Sequence, residues 1–597
     1  MPKIMHATFL SGPLAARWFA AVLLLAVTLP AQARELLVLT AAPVQSGKFH
    51  VLNEIGSRHG WHVRSVFADK LAGDEGKSLF AGADLVLLDI PYDPVVEAVE
   101  NKVGAYLAAA GVPWLKVQSE RYAAKGLDEQ DAKLLWQYYA NGGKKNFANL
   151  FRYLEARVFA GSNETVPPPI VYPPQGIYHP DYEQGVFAGA REYLAWKKVD
   201  LAHKPPIVGV AIHQSYLASD LTAFIDHLIR RLEARGAVPV VFYTPMDDAH
   251  GFEKLLTLDD KIIADVLITS QIMLLPELRK AEFERVGIPV IQAMPYRRGD
   301  VPDWEKDSAG VHLMDIPFYL AQPEYAGVTD AMTTAAVRKA DGQIVPIETQ
   351  VESVARKALN LARLQRTPNA DKKVALFFWN YPPGETNLGA SYLNVPKSLA
   401  RLLEALHAGG YNVHTRTADE LIPALQRLLR PFYRDNTLGQ LIGDGLADTL
   451  PLSKYRAWFE RLPEETKTSI TARWGEPEKG GMVIKQGDQA FFVIPRLNLG
   501  RITLLPQPPR GEMRDDQEKA LYHDTKSPAN HYYLAVYLWA RETFGAHALV
   551  HFGTHGTQEW MPGKERGLSV FDDSLLPIGD VPVVYPYIVD DVGEALQ

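Results

Sequence analysis

ELLVLTAAPVQSGKFHVLNEIGSRHGWHVRSVF, Glu35 to Phe67, carries the pattern on which the fold turns. An unbroken apolar run, ELLVLTA, is followed by a helical pattern near Lys48 to Arg58 and then by the β-rich WHVRSVF. The cycle repeats in ADLVLLDIP, a helical pattern near Pro94 to Ala110, and PWLKV. Half-exposed strands alternate apolar and polar residues, whereas continuous apolar runs separated by helices indicate parallel strands covered on both faces. Residues 34–125 therefore read as a doubly wound α/β module.

Outward from that stretch the pattern recurs. A helical and proline-rich connector, 126–205, contains VPPPIVYPPQGIYHP (Val166 to Pro180), whose prolines mark a boundary or a stiff surface segment. A second module, 206–330, reads as the strands IVGVAIH, VPVVFYT, ADVLITS and GIPVIQAM around the helix SDLTAFIDHLIRRLEARG. A third, 331–480, holds KKVALFFWNYPPG, the helix NVPKSLARLLEALHAGG and YNVHTR, then a helical insertion between Asp419 and Gly480. In the last segment, 481–597, strands return in AFFVIP and RITLLPQPPRG, a helix runs from about Ala529 to Phe544, and HALVHFG is the next strand. The expected architecture is α/β and multidomain, with several doubly wound parallel-sheet modules plus a helical insertion.

With 597 residues, 47% of them apolar, the chain has material for several cores. Its net charge of -8 and the lack of a long Lys/Arg run argue against a nucleic-acid partner. It has no cysteine, which excludes disulfides, thiolate ligands and a cysteine nucleophile. Near the N-terminus, Lys3 and Arg17 precede the apolar run Trp18 to Leu29 and then PAQA, the pattern of a cleavable signal peptide, residues 1–33, cut near Ala33. Twelve apolar residues fall short of the roughly 20 that span a bilayer. The expectation is a periplasmic or exported protein whose mature chain has no membrane span.

In open α/β sheets ligands gather outside the carboxyl ends of the strands. Three unusual loops are placed there: WNYPPGETNLGASYLN (Trp379 to Asn394), PQPPRG (Pro506 to Gly511) with YHDTKSPANHYY (Tyr522 to Tyr533), and the stretch following HALV, HFGTHGTQEWMPGK (His551 to Lys564). In the third, Gly553, Gly556 and Gly563 permit tight or left-handed backbone, while His551, His555 and Glu559 offer nitrogen and oxygen donors to a divalent metal. Glu559 could equally act as a general base. His523, Asp524 and His531 precede the intervening helix, so two facing loops would bring His523 and His531 to the same metal as His551, His555 and Glu559. Tyr532, Tyr533, Tyr537 and Trp539 on that helix read as core, and NYPPG alone reads as a rigid turn.

SPANHYYLAVYLWARETFGAHALVHFGTHGTQEWMPGKERGLS (Ser527 to Ser569) closely resembles the family formed by the large subunits of cobaltochelatase, the CobN type, and of magnesium chelatase. NYPPGETNLGASYLNVPKSLARLLEALHAGGYNV, and LPQPPRG followed by YHD, resemble that family's segments in the same order. The resemblance covers at least Val374 to Gln597. It implies tetrapyrrole binding and insertion of a divalent metal (cobalt first, with magnesium and iron as alternatives) through His551, His555 and Glu559. Asn380, Pro382, Pro383, Gly384, Arg510, Trp560 and Lys564 would then border the ring. Family members run beyond YPYIVDDVGEALQ, so residues 481–597 are expected to be a chelatase-type site domain completed by a further segment or chain. The family's biosynthetic members use ATP through AAA+ partner subunits. An exported relative cannot easily draw on that motor, and its expected activities are metal removal from haem or a corrinoid, or tetrapyrrole and metal binding without catalysis.

Overall fold

The computed structural model describes residues 33–586, apart from 43, 73–75, 77, 120, 163, 381–382, 391–392, 512–524, 554–557 and 559–560. The expected signal peptide lies outside the described residues up to position 32. No helix among the described residues is long and apolar enough to cross a membrane.

The first unit contains β1 (Arg34–Thr40), β2 (Trp61–Phe67), β3 (Leu85–Asp89), β4 (Trp114–Val117) and β5 (Tyr122–Lys125), in the spatial order β2-β1-β3-β4-β5. All pairings are parallel except β4 with β5. Along β1, Leu36 and Val38 enter one core while Leu37 and Leu39 enter another on the opposite face, as the two-residue period of a strand requires. The continuous apolar run thus reports a sheet covered on both sides. Helices Glu129–Asn141 and Gly143–Tyr153 pack on the first of these cores through Leu135, Tyr139, Phe147 and Phe151.

The second unit uses β6 (Gly176–Tyr178), β7 (Ile207–Ala211), β8 (Val238–Tyr243), the small hairpin β9 (Thr257–Leu258) and β10 (Lys261–Ile262), then β11 (Val266–Thr269), β12 (Val290–Tyr296), β13 (Asp330–Val337) and β14 (Ile344–Pro346). Its seven-stranded sheet is ordered β14-β13-β12-β11-β7-β8-β6, with both edge strands antiparallel. Helix Glu348–Arg366 closes one face by placing Val351, Val354, Ala355 and Ala358 in the core beneath β7 and β11.

The third unit begins with β15 (Val374–Phe378) and the short hairpin β16 (Gly389–Ala390) and β17 (Leu393–Asn394). β18 (Ala447–Pro451), β19 (Val483–Gln486) and β20 (Gln489–Pro495) form an antiparallel sheet beside the helices of the insertion. β21 (Leu497–Leu499), β22 (Ile502–Pro506), β23 (Ala548–Phe552) and β24 (Val583–Val584) complete the main sheet, ordered β21-β22-β15-β23-β24. β22, β15, β23 and β24 run parallel.

Sheet membership divides the chain differently from the expected segments. In the connector 126–205 the helices Glu129–Asn141 and Gly143–Tyr153 belong to the first unit, whereas β6 joins the second sheet and helix Ala190–Trp196 packs in the second unit's core. A boundary at 330 falls at the start of β13, which pairs with β12. A boundary at 480 separates β15 from its neighbours β22 and β23. The strand AFFVIP pairs within the insertion instead of the main sheet. At 330 and 480 the boundary is set by pairing across long sequence separations, which local periodicity does not encode.

The second and third units are joined by the segment that follows the third loop. Gln350 donates to the Leu568 carbonyl at 2.9 Å and accepts from Val570 N at 2.8 Å. Gly310 adopts a φ of +69° with its Cα against Arg566, and an added Cβ would collide with that residue's carbonyl oxygen. Only glycine permits this approach without strain.

Candidate functional site

Phe378, at the end of β15, stands opposite both Pro506 of β22 and Phe552 of β23. The three expected loops therefore leave one sheet side by side at its carboxyl edge. Gln507 N donates to the Phe378 carbonyl at 2.9 Å, joining the first loop to the second. A Cβ on Gly553 would collide with Cβ of the buried Trp379, so glycine there lets the third loop touch the first.

β23 carries His551 into the interior, where it is 3% exposed. Its Nε2 lies 3.0 Å from the Tyr537 hydroxyl, which receives Nε2 of Gln558 at 2.9 Å and Nε2 of Gln507 at 3.1 Å. With both amides donating to the phenol oxygen, the Tyr537 hydroxyl and His551 Nε2 form a pair across which a proton can be exchanged. Gln558 also donates to the Tyr533 hydroxyl at 3.0 Å. The network links residues following β22 and β23 to the helix His531–Leu538, which is buried all round. Phe377 packs edge-on to His551 and stacks on Tyr537.

The first loop is anchored on the insertion. Asn380 Nδ2 donates to the Gly384 carbonyl at 3.2 Å and to the Tyr433 hydroxyl at 3.0 Å, while Gly384 N donates to the same hydroxyl at 2.8 Å. Pro383 lies inside this turn. In the second loop the Pro509 carbonyl accepts from Asn530 Nδ2 at 3.0 Å, and Arg510 is buried.

Near Arg510 stands a carboxylate that no sequence motif marks. Asp573 Oδ1 accepts from Ala529 N at 3.0 Å, at the start of the helix that bears Tyr537. Burial, with Asp572 adding repulsion and Arg510 opposing it, pushes its carboxyl up from 3.8 to about 6. The folded chain thus holds this proton more tightly than the unfolded chain. Its stabilising contribution is complete below about pH 4 and is lost as pH rises through 6, a change of roughly 3 kcal/mol. The melting temperature of Asp573→Asn relative to the parent chain is expected to change between pH 7 and pH 4, because the variant lacks the proton uptake of this carboxyl. Parallel profiles would show that Asp573 does not take up the proton.

His551, Asn380, Pro383, Gly384 and Arg510 are thus brought to one edge. His523, Pro382, His555, Glu559 and Trp560 lie outside the described residues. His531 does not turn toward His551: its Nδ1 meets the Tyr455 hydroxyl at 2.7 Å and its Nε2 the Gly475 carbonyl at 3.0 Å, both in the insertion. Lys564, expected at the ring, is buried with its Nζ donating to the carbonyls of Trp304, Glu305 and Asp307 at 2.7, 2.9 and 2.9 Å. These ties engage all three ammonium protons and leave none for a ring substituent. Among the described residues, no three His, Asp or Glu side chains form a metal-holding group.

A family model described as CobN/Magnesium Chelatase matches residues 136–597. The aerobic cobaltochelatase subunit CobN of Pseudomonas aeruginosa is 30% identical over 496 residues, covering 80% of this chain and 38% of that protein. The H-type subunit of magnesium chelatase from Chlorobaculum parvum is 28% identical over 489 residues, covering 79% and 37%. The solved catalytic subunit of cobaltochelatase from Mycobacterium tuberculosis matches with a TM-score of 0.70 at 24% identity, over 94% of this chain and 46% of that one. The chain spans under two fifths of these curated relatives and under half of the solved one. The shared fold agrees with the α/β reading, and with the family model extending over most of its length, the chain belongs to the CobN/magnesium chelatase family.

Proposed function

We propose that the chain is the tetrapyrrole-binding portion of a metal chelatase large subunit, and that it inserts a divalent metal, cobalt first, into the ring. The observation that carries this reading is the convergence of three strand-end loops over the His551–Tyr537 pair, beside the junction of two α/β units. Insertion takes one metal ion and a ring with two N–H groups to a metallated ring and two released protons, so the site needs proton acceptors. In its neutral form the His551 imidazole can take the phenol proton of Tyr537 at Nε2 while Tyr537 accepts another. His555 and Glu559 would complete the set that takes protons and passes the metal, as the family resemblance implies. A flat ring suits the apolar carboxyl edge of this sheet, and ATP would act only through partner subunits.

The basic and apolar run ending at Leu29 favours a second direction, in which an exported chain removes metal from haem or a corrinoid. The test is to add metal-free and metallated tetrapyrroles to the purified chain and follow the Soret band, with and without ATP and partner subunits. The expected result is a band shift with the metal-free ring alone, and insertion only with partners and ATP. Loss of metal from haem without ATP would contradict insertion, and binding without exchange under every condition would mark a non-catalytic binder.

A further inference from the structure

Arg297 follows β12 at the carboxyl edge of the second sheet. Its Nη2 donates to the Tyr319 hydroxyl at 2.7 Å, and its guanidinium carbon stands 5.5 Å from the centre of that ring. Tyr319 is buried with Met294 and Val311, so a fixed partner aims the arginine. A guanidinium has five N–H donors, and this bond uses one. Arg297 forms no ion pair among the described residues, whereas its neighbour Arg298 reaches Asp307 at 3.5 Å. Asp315 is close enough to act on Arg297 through space without pairing with it.

Beside this group, the turn Leu313–Asp315 carries Leu313 and Met314 at 65% and 71% exposure, above every other large apolar side chain among the described residues. The turn directly follows the stretch at which the second unit meets the segment after the third loop. Just before it, the Ser308 carbonyl accepts from Glu565 N at 2.8 Å, and Val311 N donates to the Arg566 carbonyl at 3.3 Å. Residues 565–566 directly follow the third loop. An exposed apolar shelf beside an aimed guanidinium fits a ligand with a flat apolar body and an anionic rim.

We propose that Arg297 holds a rim carboxylate of the tetrapyrrole while Leu313 and Met314 support the adjoining edge of the macrocycle. This assignment rests on the tetrapyrrole reading above and adds a specificity for the acid side chains. It is tested by titrating the whole chain with a metal-free porphyrin bearing two propionic acids and with its dimethyl ester, in the same detergent, and following the Soret band. The parent chain is expected to prefer the acid by roughly ten- to a hundredfold, the range of a charge-assisted hydrogen bond. Arg297→Gln should abolish that preference and leave ester binding unchanged. Arg297→Lys should restore part of it, since a point charge lacks the planar fork. Met314→Gln should weaken acid and ester alike. An acid preference that survives in Arg297→Gln, or a parent chain that binds both forms equally, overturns the assignment alone. A parent chain that binds neither form overturns the tetrapyrrole reading with it.

Discussion

His551→Ala is expected to keep tetrapyrrole binding within a few-fold of the parent chain and to lower metal exchange by about a hundred- to ten-thousandfold, the range for loss of a positioned acid–base group. The imidazole lies near the end of β23, with its Nε2 3.0 Å from the Tyr537 hydroxyl. Removing it takes away a hydrogen-bond partner of the buried Tyr537 phenol, at a stability cost of about 1–3 kcal/mol. That cost alone could lower activity, so exchange is measured at a temperature where both chains are folded. Tyr537→Phe supplies the comparison. It removes the proton path while keeping the ring on Phe377, and it should lose exchange in parallel. Glu559→Gln should follow the same pattern. Unchanged exchange in His551→Ala, with partners present and the ring bound, would remove the imidazole from the chemistry.

Lys564→Met is expected to destabilise the chain by about 2–4 kcal/mol through the loss of hydrogen bonds from a buried charged donor. The ammonium joins the units at one point, with Nζ reaching the carbonyls of Trp304 and Glu305, in the last turn of helix Val301–Lys306, and that of Asp307 just beyond it. Methionine has similar volume but no donor, and three carbonyls, that of Trp304 buried, are left facing a thioether. Melting temperature is the primary readout. Tetrapyrrole affinity should fall with it, because Glu565 and Arg566, which join the third loop to the second unit, lie next to the lost tie. A melting temperature equal to that of the parent would show that the two units dock independently of this lysine.

The parallel strands are legible in sequence because a strand buried on both faces must be apolar throughout, as in Leu36–Leu39 and Val374–Phe378. Their carboxyl ends follow from chain direction, so the gathering of the three loops is legible too. The role of Lys564 is not, since its carbonyl partners lie 257 to 260 residues away. Nor is the fate of His531, which sits near His551 in sequence but starts its helix on the side facing the insertion. Tyr537 reads as core and is core, yet its hydroxyl is also the centre of the polar network; composition alone does not separate those roles. Asp573 stands apart from any motif, and its raised carboxyl follows from burial that only the fold reveals.

The most direct test of the central claim is a structure of the chain with a metal-free tetrapyrrole bound. The expected result is a macrocycle over the carboxyl ends of β15, β22 and β23, with the third loop against one face and Leu313 and Met314 along its rim. A macrocycle seated on the first unit, or at the amino edge of the third sheet, would contradict it.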